Sequence, residues 1–263
     1  MSSDERAFLD AIREHPHDDT ARLVYADWLA ENGRADRGEF IRVDVELART
    51  PPTTEGDERR RRVLLERRAD LLKRHKSAWL APFLPFAKEE SFERGFVQAL
   101  EVPANTFLQN AERWFELTPL TRVKITASRV WNPHTAAFAG WTEPLFTSPH
   151  LARLESLDLE NQSVTGSALE ALAAHDDLPK LRELLLQWNG LRSEGAAVLA
   201  NLPQLRNLEA LDLRNNSITD TGARALAGSP YLTRMTELRL SRNPIRDRTW
   251  ALLEDRFGDA LVG

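Results

Sequence analysis

The stretch "LEALDLRNNSI", residues 208–218, decides the fold. Leucines alternate with polar residues in it, so Leu211 and Leu213 lie on one face of a short strand. Asp212 and Arg214 point to the other face. We therefore predict a strand that covers a core with its leucines and presents its charged side chains to solvent.

The continuation, residues 218–232, predicts a helix. Ala223 and Leu226 have helical spacing, and Asp220 is expected to cap the start of the helix. The sequence "GSP", which begins at Gly228, is expected to end it. One unit of the chain is therefore a strand followed by a helix.

The strand pattern recurs every 27 residues. The strong copies read "LESLDLENQSV", "LRELLLQWNGL", "LEALDLRNNSI" and "MTELRLSRNPI", and they start at Leu154, Leu181, Leu208 and Met235. Weaker copies start at Val97 and Leu120, which makes about six units. The excess of residues before the first strong copy, in the inserted segment 129–150, is expected to loop out on one face.

An asparagine follows the strand at Asn189, Asn216 and Asn243, and Gln162 stands at the same position of the first strong copy. We expect the asparagine amide to satisfy backbone groups of the turn that no strand ladder reaches. A buried unpaired amide costs about 1–3 kcal/mol. The position therefore predicts a role in stability and none in chemistry.

This pattern resembles the leucine-rich repeat, in particular its ribonuclease-inhibitor-like type. The resemblance and the spacing together predict an α/β solenoid over residues 83–263, with a parallel sheet on the concave face and helices on the convex face. The last helix, around Trp250 and Leu253, is expected to cap the open end of the solenoid.

Strand positions between the leucines form the concave face, and solenoids vary these positions to choose partners. We predict a non-catalytic module that binds an unidentified protein there. Trp188 suggests a binding hot spot, because an exposed tryptophan beside charges is typical of one; the alternative is that it lies over the next turn. The predicted partner-binding residues are Asp158, Glu160, Glu183, Leu185, Gln187, Trp188, Asp212, Arg214 and Arg239.

Residues 1–82 do not fit the repeat and predict an all-α head domain. Helices are expected over about 4–14, 20–32 and 38–49, followed by a long basic helix from residue 58. Ser2 and Glu5 have the spacing of a capping box at the start of the first helix.

The motifs "YADWL", "ENG" and "GEFIR", in that order within residues 4–49, resemble a short bacterial repeat-companion domain. The resemblance implies architecture and no activity. On a helical wheel Val24, Tyr25 and Trp28 share the core face. Asp27 lies off that face, and we expect it to bind an arginine, Arg37 or Arg42, since no second acid, base or metal ligand accompanies it.

The basic helix 58–76 is the basis of an alternative function, binding of nucleic acid or of an anionic surface. Interleaved acidic residues and a lack of aromatic residues favour a solvated helix face instead. The formal net charge of −5 also provides no general attraction to phosphate, so nucleic acid is not the partner we expect.

Composition excludes several classes of function. The chain has 263 residues and no cysteine, which removes disulfides, thiolate metal sites and cysteine nucleophiles. Motifs for phosphate-binding loops, serine hydrolases and zinc proteases are absent, and His15 with His17 lacks a third metal ligand. We therefore expect no enzyme, no cofactor and no metal. The charged start and the lack of long apolar runs predict a cytoplasmic protein without membrane contact.

Overall fold

The computed structural model describes residues 2–126 and 140–262. Within this part the chain forms ten α-helices and nine β-strands. They group into two compact units. The first comprises Met1–Leu100 and Glu112–Leu120, and the second comprises Glu101–Ala111 and Thr121–Gly263. The predicted domain boundary between residues 82 and 83 stays a prediction.

The first unit is mainly helical. Its helices are α1 (Ser3–Glu14), α2 (Asp19–Glu31), α3 (Ala35–Arg49) and α4 (Glu55–Leu80). Two short strands, β1 (Phe92–Glu93) and β2 (Phe96–Val97), form an antiparallel pair. Apolar side chains of α1, α2 and α3 and of β2 make the core: Leu9, Ile12, Tyr25, Ala26, Leu29, Ile41, Val45 and Phe96.

The buried face of α2 differs from the prediction. Tyr25 is buried as expected, but Val24 is 49% exposed, and Arg22 and Ala26 are fully buried instead. The reason is the close approach of α3. A Cβ on Gly38 would stand 2.3 Å from the carbonyl oxygen of Ala26, so glycine lets the two helices touch along Ala26 and turns Val24 outward.

The second unit alternates strands and helices, and the seven strands β3 to β9 form one sheet in chain order. Its strands are β3 (Ala99–Pro103), β4 (Arg122–Thr126), β5 (Ser156–Asp158), β6 (Glu183–Leu185), β7 (Ala210–Asp212), β8 (Glu237–Arg239) and β9 (Leu261–Val262). Its helices are the first part of α5 (Ala104–Leu117), whose residues from Glu112 on are assigned to the first unit, and α6 (Thr142–Phe146), α7 (Gly166–Glu170), α8 (Arg192–Ala200), α9 (Asp220–Ala227) and α10 (Asp247–Phe257). The sheet is parallel.

The sheet contains all six predicted strands and one that the sequence analysis missed. Leu157, Leu184, Leu211 and Leu238 are register partners on neighbouring strands, and all four are buried. The additional strand, β9, pairs with β8 beyond the last helix. Of the inserted segment 129–150, residues 129–139 lie outside the described residues, whereas α6 belongs to its described end.

The asparagine ladder is confirmed. The Oδ1 atom of Asn216 accepts hydrogen bonds from the backbone N–H groups of Asn189 and Leu191, at 3.1 and 3.2 Å. Its Nδ2 atom donates to the carbonyl oxygens of Leu186 and Arg214. Asn189 and Asn243 make matching bonds one repeat earlier and later. Each amide therefore links the turns of adjacent repeats.

The prediction that Asp220 caps the start of α9 is wrong, because its carboxylate binds a different part of the chain. Asp220 is the first residue of α9, and the residue before it makes no side-chain cap bond. The carboxylate of Asp220 instead accepts a hydrogen bond of 2.9 Å from the backbone N–H of Arg246, in the next repeat. It therefore ties neighbouring repeats together, like the asparagines.

Candidate functional site

The solvent side of the sheet carries two rows of aligned side chains. Strand register places Lys124, Asp158, Leu185, Asp212 and Arg239 side by side in one row. The second row consists of Arg122, Ser156, Glu183, Ala210 and Glu237. We call these rows, together with Glu160, Gln187, Trp188 and Arg214 just beyond the strands, the polar sheet face. Strand register places five of the nine predicted site residues in these rows, and Glu160 and Arg214 reach the rows through ion pairs with Lys124 and Asp212. Gln187 and Trp188 follow β6 in the chain.

The first row has a symmetric pattern of charge. At one end the Nζ atom of Lys124 lies 3.0 Å from carboxylate oxygens of both Asp158 and Glu160. Partial burial acts to lower the pKa of Lys124, but its bonds to these two acids outweigh burial and raise it. At the other end Arg239 pairs with Asp212 across the strands. Leu185 lies between the two ion-paired groups.

Asp212 is less accessible than the sequence predicts. Its side chain is only 1% exposed, because Arg214 holds it with two guanidinium nitrogens at 2.5–3.0 Å and Arg239 covers it. The hydrogen bonds to Asp212 raise the pKa of Arg214 above its usual value. Gln187 is also buried. The expectation that Asp212 and Gln187 are exposed is therefore wrong, and a partner would meet Arg214 and Arg239 first.

Trp188 is the large apolar residue that stands out on this face. It follows β6 and is 52% exposed. Its backbone has a φ of 62°, in the left-handed region. The same position is Asn161, Asn215 and Arg242 in the neighbouring repeats, also with positive φ. Asparagine tolerates this conformation well, whereas a bulky aromatic residue rarely adopts it.

The basic helix α4 is largely neutralised within its own unit. Arg67 makes two hydrogen bonds of 2.6 Å to Glu39, and Arg68 binds the buried carboxylate of Asp44 at 2.7 Å. Arg60, Arg74 and Lys76 also pair with acids of the same unit. Four arginines of the basic run therefore join α4 to α3, which the interpretation as a solvated helix face does not predict. The expected pairs within the helix are present at Asp70, which binds Arg67 and Arg74.

Asp27 of the "YADWL" motif and Glu5, which contacts Tyr25 of that motif, both bind side chains of the first unit. Asp27 binds Arg42 of α3 at 2.5 Å, which confirms the expected aspartate–arginine pair and selects Arg42 over Arg37. Glu5 does not complete a capping box, although Ser2 accepts from its N–H. Its carboxylate instead accepts from the Tyr25 hydroxyl at 2.8 Å and from Arg34 at 2.6 Å.

Neither a metal centre nor a membrane span emerges from the described residues. In residues 2–126 and 140–262 no group of three or more histidine, aspartate or glutamate side chains could hold a metal ion. No helix in these ranges is long and apolar enough to cross a bilayer.

Comparison with known proteins supports a leucine-rich repeat region. Residues 177–200 and 204–227 match a family model described as Leucine Rich repeat. These segments contain β6, α8, β7 and α9, and β6 and β7 carry the central residues of the polar sheet face. Leucine-rich repeats generally mediate protein–protein interaction and are typically non-catalytic. A search of curated proteins finds no match to the chain.

Proposed function

We propose that this chain is a non-catalytic, cytoplasmic protein-binding module. In this proposal the strands of a leucine-rich solenoid of about six units present their polar sheet face as a concave surface to one protein partner. The contacts come from Asp158, Glu160, Glu183, Leu185, Trp188, Arg214 and Arg239. Asp212 holds Arg214 and Arg239, and Gln187 is buried beside Trp188 in the chain. Residues 1–82 form a repeat-companion head domain in the same proposal.

The observation that carries the proposal is the position of Trp188. A left-handed backbone costs a bulky residue about 1–3 kcal/mol, and such strain persists where function requires it. The repeat turn imposes this conformation, and asparagine fills the position at Asn161 and Asn215 without that cost, whereas Trp188 and Arg242 do not have that advantage. The indole is half-exposed, so its burial within the fold does not compensate for the strain. In this proposal, a partner that buries the indole compensates for the strain.

The surroundings of Trp188 supply the other features of a binding surface. Leu185, at the end of β6 and three residues before Trp188, adds partly exposed apolar area, and Glu183 and Glu160 are partly exposed acids. Arg214 and Arg239 lie on the next strands. An apolar anchor surrounded by charges of both signs has the composition of a hot spot with a polar rim. We infer a partner with a pocket for the indole and with basic groups opposite the acids.

The variant Trp188→Asn tests this proposal without endangering the fold. Asparagine is the residue already present at positions 161 and 215, so the variant should be as stable as the wild type or about 1 kcal/mol more stable. The immobilised full chain is used to capture proteins from a lysate of the native host, and captured proteins are quantified by mass spectrometry. We expect one or more partners of the wild type to be lost.

The matched control is Leu252→Asn, which removes an exposed apolar side chain from α10, away from the polar sheet face. It should retain those partners. A second variant on the face, Glu160→Lys, should weaken capture of the same proteins. If Trp188→Asn and Glu160→Lys retain every protein that the wild type captures, the proposed surface is wrong.

The basic helix 58–76 gains no support as a nucleic-acid site, because its charges are directed to acids of the same unit. We therefore do not propose that function.

A further inference from the structure

The first unit contains a cavity of about 770 Å³. Ligand pockets for small molecules measure about 300–1,000 Å³, so this volume is in the usual range. All lining residues belong to the first unit. Gly33, Arg34, Ala35 and Pro82 are exposed, which means that the cavity opens to solvent between the α2–α3 turn and the segment after α4.

The walls of the cavity are aromatic and aliphatic. Tyr25, Trp79, Phe92 and Phe96 contribute rings, and Leu9, Phe83, Val97 and Leu117 contribute further apolar surface. Such apolar walls, combined with several polar groups at the same cavity, are typical of sites that bind an organic molecule with an apolar body and a polar end.

Arg37 is the residue of the cavity lining that has a buried polar atom without a hydrogen-bond partner. Its Nη1 atom is buried and has no hydrogen-bond acceptor, and no carboxylate of the described residues lies within pairing distance. Its guanidinium lies over the rings of Trp79 and Phe96, with its carbon 5.0 and 5.4 Å from the ring centroids. Burial lowers the pKa of Arg37 to about 10, so the side chain is charged at neutral pH.

The other charged groups of the lining are already paired. Arg34 binds Glu5 at 2.6 Å. Asp36 binds Arg74 at 2.8 Å and the Nε2 atom of His75 at 2.6 Å. Among the described residues that line the cavity, the positive charge of Arg37 alone lacks a counter-charge. The cavity therefore has one positive charge without an ion-pair partner at an aromatic wall, and the carboxylate of Asp44 acts on it from beyond pairing distance.

We propose that this cavity binds a small organic monocarboxylate, whose carboxylate pairs with Arg37 and whose apolar body lies against Trp79, Phe92 and Phe96. A guanidinium presents its N–H groups in a planar fork that matches a carboxylate, and stacking on aromatic rings orients that fork. The carboxylate supplies the acceptor that the buried nitrogen lacks. The site is separate from the polar sheet face and does not depend on the function proposed there.

The test uses the full chain and a panel of carboxylates with apolar bodies: benzoate, phenylacetate, 2-naphthoate and hexanoate. Binding is measured by calorimetry and by the shift in melting temperature. Each carboxylate is compared with its neutral amide, which has the same shape and lacks the charge. We expect at least one carboxylate to bind and to raise the melting temperature, and its amide to bind at least about tenfold more weakly.

The variant Arg37→Met keeps the apolar stem and removes the charge. It should lose at least about tenfold in affinity for the carboxylate and should bind the amide as the wild type does. The control is Arg42→Met, on the same helix α3, whose guanidinium pairs with Asp27 outside the cavity. It should bind the carboxylate normally. Because the carboxylate–amide comparison needs no variant, it decides the proposal even if Arg37→Met does not fold.

Binding is located by the indole N–H signal of Trp79 in NMR spectra, which is identified by its loss in Trp79→Phe. A carboxylate that pairs with Arg37 should shift this signal. The proposal is overturned if no carboxylate of the panel binds, if an amide binds as tightly as its acid, or if Arg37→Met retains the affinity. In these cases Arg37 serves the packing of the aromatic rings only.

Discussion

In the repeats, Asn189, Asn216 and Asn243 make the same hydrogen bonds at intervals of 27 residues, whereas each ion pair between α3 and α4 of the first unit occurs once. Both arrangements join neighbouring elements. A contact that recurs leaves a period in the sequence and can be predicted from it. A contact that occurs once leaves only two residues far apart in the chain, and nothing in the sequence connects them.

Among these variants, we expect Asn216→Ala to lower the free energy of unfolding most. The substitution removes the hydrogen bonds between two turns and leaves the N–H groups of Asn189 and Leu191 without acceptors. Asn216 is fully buried, so water cannot replace them easily. We expect a loss of about 4 kcal/mol in the free energy of unfolding, measured by urea titration followed by circular dichroism.

The control is Gln162→Ala, at the same repeat position. Gln162 makes one side-chain bond, to the carbonyl oxygen of Glu160, and the expected loss is less than about 1 kcal/mol. Equal losses in the two variants would mean that the ladder is not what joins the repeats.

The buried ion pair of Arg68 and Asp44 in the first unit should contribute nearly as much to the free energy of unfolding. Arg68→Met leaves the Asp44 carboxylate, 4% exposed, without its counter-charge. Burial already raises the pKa of Asp44 against the opposing effect of Arg68. We expect a loss of about 3 kcal/mol at pH 7, measured by thermal and urea unfolding, because an uncompensated buried charge is costly.

The pair Asp27–Arg42 is the matched exposed case, with side chains 67% and 39% exposed. Arg42→Met should cost less than about 1 kcal/mol, because solvent screens exposed ion pairs. A loss as large as that of Arg68→Met would show that burial does not rank the ion pairs of this unit.

The smallest predicted effect concerns Glu5 and depends on pH. Burial acts to raise the pKa of Glu5, but hydrogen bonds from Arg34 and Tyr25 prevail and hold it below its ordinary value of 4.5. The ionised carboxylate therefore stabilises the fold above that pH, and its contribution disappears as the pH falls through the lowered pKa. Glu5→Gln should cost about 1 kcal/mol at pH 7 and less in acid.

Thermal unfolding of both proteins between pH 7 and 3 measures this difference. Glu31→Gln, an exposed glutamate at the end of α2, is the control and should show no such trend. A cost of Glu5→Gln that stays constant down to pH 3 contradicts the assigned hydrogen bonds.

Much of the second unit was predictable for a physical reason. The alternation around Leu211 and the period of 27 residues predict strands, register and the role of Asn216, and each is found. The candidate site follows from the same alternation, since it places Asp158, Leu185 and Arg239 in one row. The accessibility of Asp212 was not predictable, because it depends on how the side chains of Arg214 and Arg239 fold over it.

The first unit shows the converse. Helical spacing predicts its helices to within a few residues, and it predicts that Tyr25 is buried. It fails at Val24, Arg22 and Ala26, because the burial of α2 is decided by a partner helix. The cavity around Arg37 had no sequence signal at all, since its rings come from α2, α4 and the β1–β2 pair.

The sequence by itself determined the repeated strand, its leucine core, the asparagine ladder and the surface on which the variable side chains lie. Only the tertiary structure decided which acids are screened by arginines, which face of α2 is buried, and that Arg37 meets four aromatic rings without a counter-charge. The reason is the range of the interactions. Contacts between neighbouring repeats follow a constant spacing along the chain, whereas contacts among helices of the first unit depend on packing between distant residues.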